Sequence, residues 1–118
     1  MPDKKFYVYI LLSLKDNHFY IGFTSDLKKR LIQHAKGLSI ATKFHRPYKL
    51  IHYEYFIDEK DAKTREEFLK SGFGRREFKK ALKNTLKNIL NPPPALRLEK
   101  KGLFKTVRRL KILYSAKS

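Results

Sequence analysis

The spacing of apolar positions divides the chain into short strands and amphipathic helices. Residues 6–12, Phe-Tyr-Val-Tyr-Ile-Leu-Leu, are aromatic and β-branched and predict a strand. Lys15-Asp16-Asn17-His18 is turn-like, and Phe19-Tyr20-Ile21-Gly22-Phe23 predicts a second strand, so the two should form an antiparallel hairpin. Ser25 or Asp26 is suited to cap a helix from Leu27 to Lys36, which Gly37 ends. Leu27, Leu31 and Ala35 give that helix an apolar stripe. A loop over Leu38 to Pro47, containing Thr42-Lys43 and His45-Arg46, leads to a third strand from Tyr48 to Phe56. Asp58 then caps a second helix reaching about Ser71, Gly72-Phe73-Gly74 breaks it, and Arg75 to Leu90 predicts a third helix with Phe78, Leu82, Leu86 and Ile89 on one face. Asn91-Pro92-Pro93-Pro94 stops the pattern. The order is β-β-α-β-α-α in one domain over residues 1–90, followed by a proline break and a basic tail over 91–118, where Leu103, Val107, Leu110 and Tyr114 could line an amphipathic helix.

Composition narrows the classes. A chain of 118 residues fits a single domain. The absence of cysteine excludes disulfides, thiolate metal sites and a cysteine nucleophile. No apolar run is long enough to span a bilayer, and the N-terminus lacks a signal-peptide pattern, so a cytoplasmic protein without membrane contact is expected. Charge changes the picture most: 28 Lys and Arg against 11 acids give +17. Residues 91–118 carry eight basic side chains and one Glu, so +10 remains in residues 1–90 and the excess is not confined to the tail. A polyanionic partner follows, because basic side chains displace counterions from phosphates.

Strand alternation places Phe6, Val8, Ile10 and Leu12 on one face and Tyr7, Tyr9 and Leu11 on the other. If the apolar faces of both strands meet the core, Tyr9 and Tyr20 project together from the opposite face, with Gly22 leaving room for a ligand backbone. Strand tyrosines also serve as ordinary packing residues. Arg30 and His34, four apart, share a helical face beside the Leu27/Leu31 stripe; an Arg there can fork onto a phosphate, and a His can transfer a proton or contact phosphate. Solvated basic side chains would look the same. Glu66 shares a stripe with Ala62 and Leu69 that should face the core. A carboxylate there needs either a basic partner such as Arg30 or Arg65, or a metal. A single inward carboxylate suits Mg²⁺. The four histidines, 18, 34, 45 and 52, are scattered and lack a zinc-binding spacing. No P-loop or dinucleotide motif is present, so no small-molecule cofactor is expected.

Tyr7-Val8-Tyr9 followed about ten residues later by Tyr20-Ile21-Gly22, with Arg30, His34 and Glu66 in that order, resembles the GIY-YIG nuclease superfamily over about residues 5–84. It is similar to the small single-domain branch related to the N-terminal nuclease domain of the excision-repair machinery. The resemblance implies an α+β fold with a small antiparallel sheet flanked by helices. It implies a metal-dependent DNA endonuclease that hydrolyses phosphodiester bonds, on DNA that includes branched or single-stranded forms. Tyr9, Tyr20, Arg30, His34 and Glu66 would be its catalytic set, and Glu66 its ligand for Mg²⁺ or Mn²⁺. Gly22, Thr24, Lys43 and Arg65 are candidates for nucleic-acid contact. Tyr7 and Val8 replace the Gly and Ile of the first motif, and Thr24 replaces a Lys found in some members. These departures keep open an alternative, a nucleic-acid-binding module without catalytic power.

Overall fold

The computed structural model describes residues 4–91; the proline stop and the amphipathic segment expected beyond it lie outside those residues. The elements run β1 (Phe6–Ser13), β2 (Phe19–Thr24), α1 (Leu27–Ala35), a short 3-10 turn at Lys43–His45, β3 (Tyr48–Phe56), α2 (Glu59–Lys70), α3 (Gly72–Ala81) and α4 (Lys83–Leu90). The sheet is antiparallel in the order β2-β1-β3, flanked by helices, as the α+β expectation requires. Asp26 caps α1, accepting from Lys29 N at 3.1 Å, and Gly37 ends it at φ +75°. Among the described residues, no helix is long and apolar enough to cross a membrane.

The hairpin's two faces are both covered. Phe6, Val8 and Ile10 pack with Ile21 of β2, Ala62 and Leu69 of α2 and Phe78 of α3. Tyr9 and Leu11 pack on the other side against Leu31 of α1, with Tyr20, Leu27, Tyr48 and Leu50 around them. The tyrosine face is therefore a second core rather than an open polar surface. Tyr9 shares a face with Tyr20, as alternation predicts, and at 0 % exposed it is also a packing residue of that second core. A helix laid across that face is what buries it: the apolar stripe of α1 needs a partner, and the sheet's second face supplies one.

β3 serves both layers by means of a bulge. Ile10 pairs with His52 and Leu11 with Leu50, so Ile51 has no partner across the ladder. Before the bulge, Tyr48 and Leu50 face α1; after it, His52 and Glu54 face α2, where both Glu54 oxygens accept from Arg65, at 2.9 and 3.1 Å.

The helical end of the chain differs from the sequence reading. The break falls at Ser71, which is extended (φ −73°, ψ 163°), and Gly72-Phe73-Gly74 form the first turn of α3. Ser71 caps that turn, accepting from Gly74 N at 3.1 Å, while its own N–H and hydroxyl both donate to Phe68 O. The glycine pair marks a tight corner instead of a linker: a Cβ on Gly74 would lie 1.8 Å from the Phe68 carbonyl oxygen, whereas one on Gly72 would meet nothing within 4 Å. The single helix expected over 75–90 is also divided at Leu82, whose backbone (φ −103°, ψ 22°) leaves the helical region. Gly74→Ala should therefore lower stability by about 2 kcal/mol or more, because backbone must move. Gly72→Ala should stay within about 1 kcal/mol of the parent. Urea denaturation midpoints check this, and equal effects at the two positions would refute the corner.

Candidate active site

The register of the hairpin builds the site. Tyr9 lies directly opposite Gly22, and Leu11 opposite Tyr20, so the two tyrosines are diagonal neighbours with ring centroids 6.2 Å apart. Gly22 is needed for this: a Cβ there would lie 2.3 Å from Tyr9 Cζ. The space expected to admit a ligand backbone is filled by the Tyr9 ring. α1 crosses the same face, so Arg30 and His34, one turn apart, reach the tyrosines together. His34 Nε2 hydrogen-bonds the Tyr9 hydroxyl at 2.7 Å, and its Nδ1 hydrogen-bonds Thr42 Oγ1 at 2.7 Å. The His34 ring also lies 5.0 Å from that of Tyr20.

Burial sets the protonation states. His34 is 2 % exposed; burial first, and then the Arg30 charge, push its pKa down to about 4. It is a neutral imidazole at physiological pH, with one N–H for two partners. The chain is therefore directional: Thr42 donates and Tyr9 accepts, or the reverse. Burial and the neighbouring Tyr20 hold the Tyr9 phenol well above its ordinary range, against the opposing pull of Arg30. Burial works against the Arg30 charge, but interactions with the Tyr9 and Tyr20 phenols outweigh it and raise the guanidinium's pKa. Arg30 also donates from Nη1 to Gln33 Oε1 at 2.9 Å. Tyr20 and Arg30 are half-buried, so they are the members of the cluster with solvent access.

Glu66 lies on the other side of the sheet. Its carboxylate is half-buried, with Lys70 Nζ 3.1 Å away, so neither Arg30 nor Arg65 is its partner. Arg65 is committed to Glu54 on β3, while Lys63 lies 5.2 Å over the Phe23 ring on β2. At about 100° per residue, Glu66 is turned from the buried Ala62 toward the Lys63 flank, and so toward the edge strand β2. Among the described residues, no hydrogen bond or ion pair links Glu66 to the Tyr9 cluster. The two groups border the same strand from opposite faces. The donor set fits Mg²⁺: one carboxylate, paired among the described residues with a surface lysine alone, that can share a hydrated ion with a substrate phosphate.

Other residues fall as follows. Thr24 Oγ1 accepts from Asp26 N at 3.1 Å and shapes the entry to α1. Lys43 is exposed on the 3-10 turn beside Phe44. Thr42, 0 % exposed, belongs to the cluster although the sequence pattern marks it only as a loop residue. Tyr48, at the start of β3, packs against the Tyr9 layer, and its burial first, then Asp16 and Tyr20, raise its pKa. The histidines are not all scattered: His18 and His45 meet at Asp16.

The GIY-YIG catalytic domain family matches residues 5–81. A UPF0213 protein of Clostridium perfringens is 38% identical over 65 residues, covering 54% of this chain and 69% of the relative. One from Staphylococcus saprophyticus is 34% identical over 76 residues, covering 64% and 92%. One from Streptococcus pyogenes is 38% identical over 71 residues, covering 59% and 76%. No solved structure matches the chain.

A depressed histidine pKa makes stability depend on pH with a defined sign. The unfolded chain binds the His34 proton near pH 6.5 and the folded one only near 4, so acid favours unfolding across that interval. Stability from this group is complete above about pH 6.5 and lost as pH falls toward 4, with an upper bound of about 3 kcal/mol. Urea titrations of the parent and of His34→Gln at several pH values test this. The gap between them should shrink over that interval, and a constant gap would refute it.

Proposed function

The chain belongs to the GIY-YIG catalytic domain family, a nuclease superfamily acting on nucleic acid, and we propose that it is a metal-dependent DNA endonuclease that hydrolyses phosphodiester bonds at the β2 edge. The observation that carries this reading is the convergence of Tyr9, Tyr20, Arg30 and His34 in one hydrogen-bonded and charge-coupled cluster. Packing alone does not call for an arginine beside two phenols and a buried neutral histidine.

Solvent access divides the roles. Tyr20 presents its hydroxyl to the attacking water and orients it. Arg30 opposes the charge that builds on the phosphate's equatorial oxygens. Tyr9 and His34 are positioning residues: they are buried, and through Thr42 they fix the hydroxyl network beside Tyr20. His34 holds Tyr9 by a hydrogen bond; the attacking water gives its proton to bulk solvent at the open Tyr20 side, and the leaving oxygen takes one from solvent. A divalent ion held by Glu66 would supply Lewis-acid activation of the phosphate and neutralise the leaving oxygen. Lys43 and Thr24 suit backbone contact, while the Glu54-bound Arg65 is less available.

The test is cleavage of supercoiled plasmid and of duplex, flap and single-stranded oligonucleotides with Mg²⁺ or Mn²⁺. Tyr20→Phe, Arg30→Ala and Glu66→Gln should each cut the rate by roughly a hundredfold or more, with DNA binding retained. His34→Gln should lower activity through the loss of order at Tyr9. Full activity in Arg30→Ala or Glu66→Gln would refute the site. Salt-dependent binding with no cleavage of any substrate would favour the inactive binding module instead.

A further inference from the structure

Three side chains outside the cluster meet where the β1–β2 turn touches the loop before β3. Asp16, His18 and His45 each offer one ligand atom, all within 4.8 Å of one another. His18 Nδ1 lies 3.0 Å from Asp16 Oδ1, His45 Nδ1 hydrogen-bonds Asp16 Oδ2, and the two imidazole rings have centroids 4.6 Å apart. Both rings direct the same nitrogen at one carboxylate.

We propose that Asp16, His18 and His45 bind a single Zn²⁺ ion, at a site separate from Glu66, and that this ion staples the hairpin turn to the loop that carries Thr42. The donor set is the first argument. Two imidazole nitrogens and a carboxylate oxygen are a three-ligand zinc set, with the fourth position left to water. Imidazole donors also disfavour Mg²⁺, which prefers oxygen and dehydrates reluctantly. Distance is the second. Tetrahedral zinc with bonds near 2.0 Å places its ligand atoms about 3.3 Å apart, so side-chain rotation suffices to close the observed spread.

The scaffold is the third argument, because it exists before any ion arrives. Ser13 Oγ, fully buried, donates to His45 O at 2.6 Å and accepts from Lys15 N and Asp16 N at 3.1 and 3.2 Å. Leu14 N donates to Pro47 O at 2.9 Å, and Lys15 Nζ to Phe44 O at 2.9 Å. Asn17, at φ +63°, reverses the chain so that Asp16 and His18 point the same way. Turn and loop are thus held in register by groups that are not themselves ligands, and the site remains open to solvent. His45 N donates to Thr42 O at 3.1 Å, so an ion on His45 also restrains the loop that anchors His34.

The experiment is calorimetric titration of Zn²⁺ into the metal-stripped full chain without a histidine tag, alongside thermal unfolding. Saturable binding of about one equivalent and a rise in Tm with Zn²⁺ are expected. His18→Asn, His45→Asn and Asp16→Asn should each weaken binding by roughly tenfold or more and remove the Tm rise. Glu66→Gln should leave both unchanged, and Mg²⁺ should not compete. Co²⁺ bound to the unmutated protein should give the intense visible absorption of low-coordinate sites, a readout that needs no variant. The proposal is overturned by absence of saturable binding, by undiminished affinity in the His18→Asn/His45→Asn double variant, or by loss of binding in Glu66→Gln. Either of the first two results would leave the trio as an Asp held by two histidine hydrogen bonds.

Discussion

The hydrogen bond between the Tyr9 hydroxyl and His34 Nε2 is the point on which the site's architecture turns. It joins the central strand to α1 inside a layer that excludes water. A buried phenol or imidazole left without a partner is costly, so each group obliges the other to be where it is. Thr42 completes the imidazole's requirements, which fixes the loop before β3, and Gly22 yields the space the ring occupies. Three segments, β1, α1 and the loop before β3, are thereby tied by one side-chain chain, and among the described residues no buried side-chain polar atom lacks a partner. Such fully satisfied networks specify one arrangement, because a partial version is worse than none.

The cluster's electrostatics follow from that burial. Arg30 lies against two phenols and next to an imidazole that its charge helps keep neutral. The accessible positive charge is thus concentrated at the rim, on Arg30, rather than shared with His34. On the opposite face a different solution holds: Glu54 is buried enough to be pushed up, yet Arg65 and His52 more than offset this and keep it ionised. One layer contains its polarity as neutral hydrogen bonds and the other as paired charge.

Much of this is legible in the sequence. β3 falls on Tyr48–Phe56 as its turn signals predict, β1 and β2 each extend one residue further than predicted, and α1 stops one short. Arg30 and His34 meet the tyrosines because helical spacing and strand alternation are strong local rules. The less legible features depend on contacts between distant segments. Gly22 reads as room for a ligand because nothing in the pattern says that the facing Tyr9 ring fills it. Gly72 and Gly74 look alike in sequence, but only Gly74 abuts a carbonyl of α2. Glu66 shares the buried stripe by spacing but sits on its flank, where Lys70 reaches it. His18 and His45 are far apart in sequence and become neighbours only when β3 returns to the turn.

The unpaired Ile51 has a consequence for how the two layers can diverge. Because the even-numbered positions change face at that residue, Tyr48 and Leu50 answer to α1 and the tyrosines, while His52 and Glu54 answer to α2. The strand behaves as two reading frames joined by a shift. Changes confined to His52 and Glu54 leave Tyr48 and Leu50 in place, so the pairing with α2 can be rebuilt without disturbing the layer beneath α1. A one-residue deletion at Ile51 would only remove the bulge: Leu50 and His52 would become consecutive, each would keep its face, and the Glu54–Arg65 pair would survive.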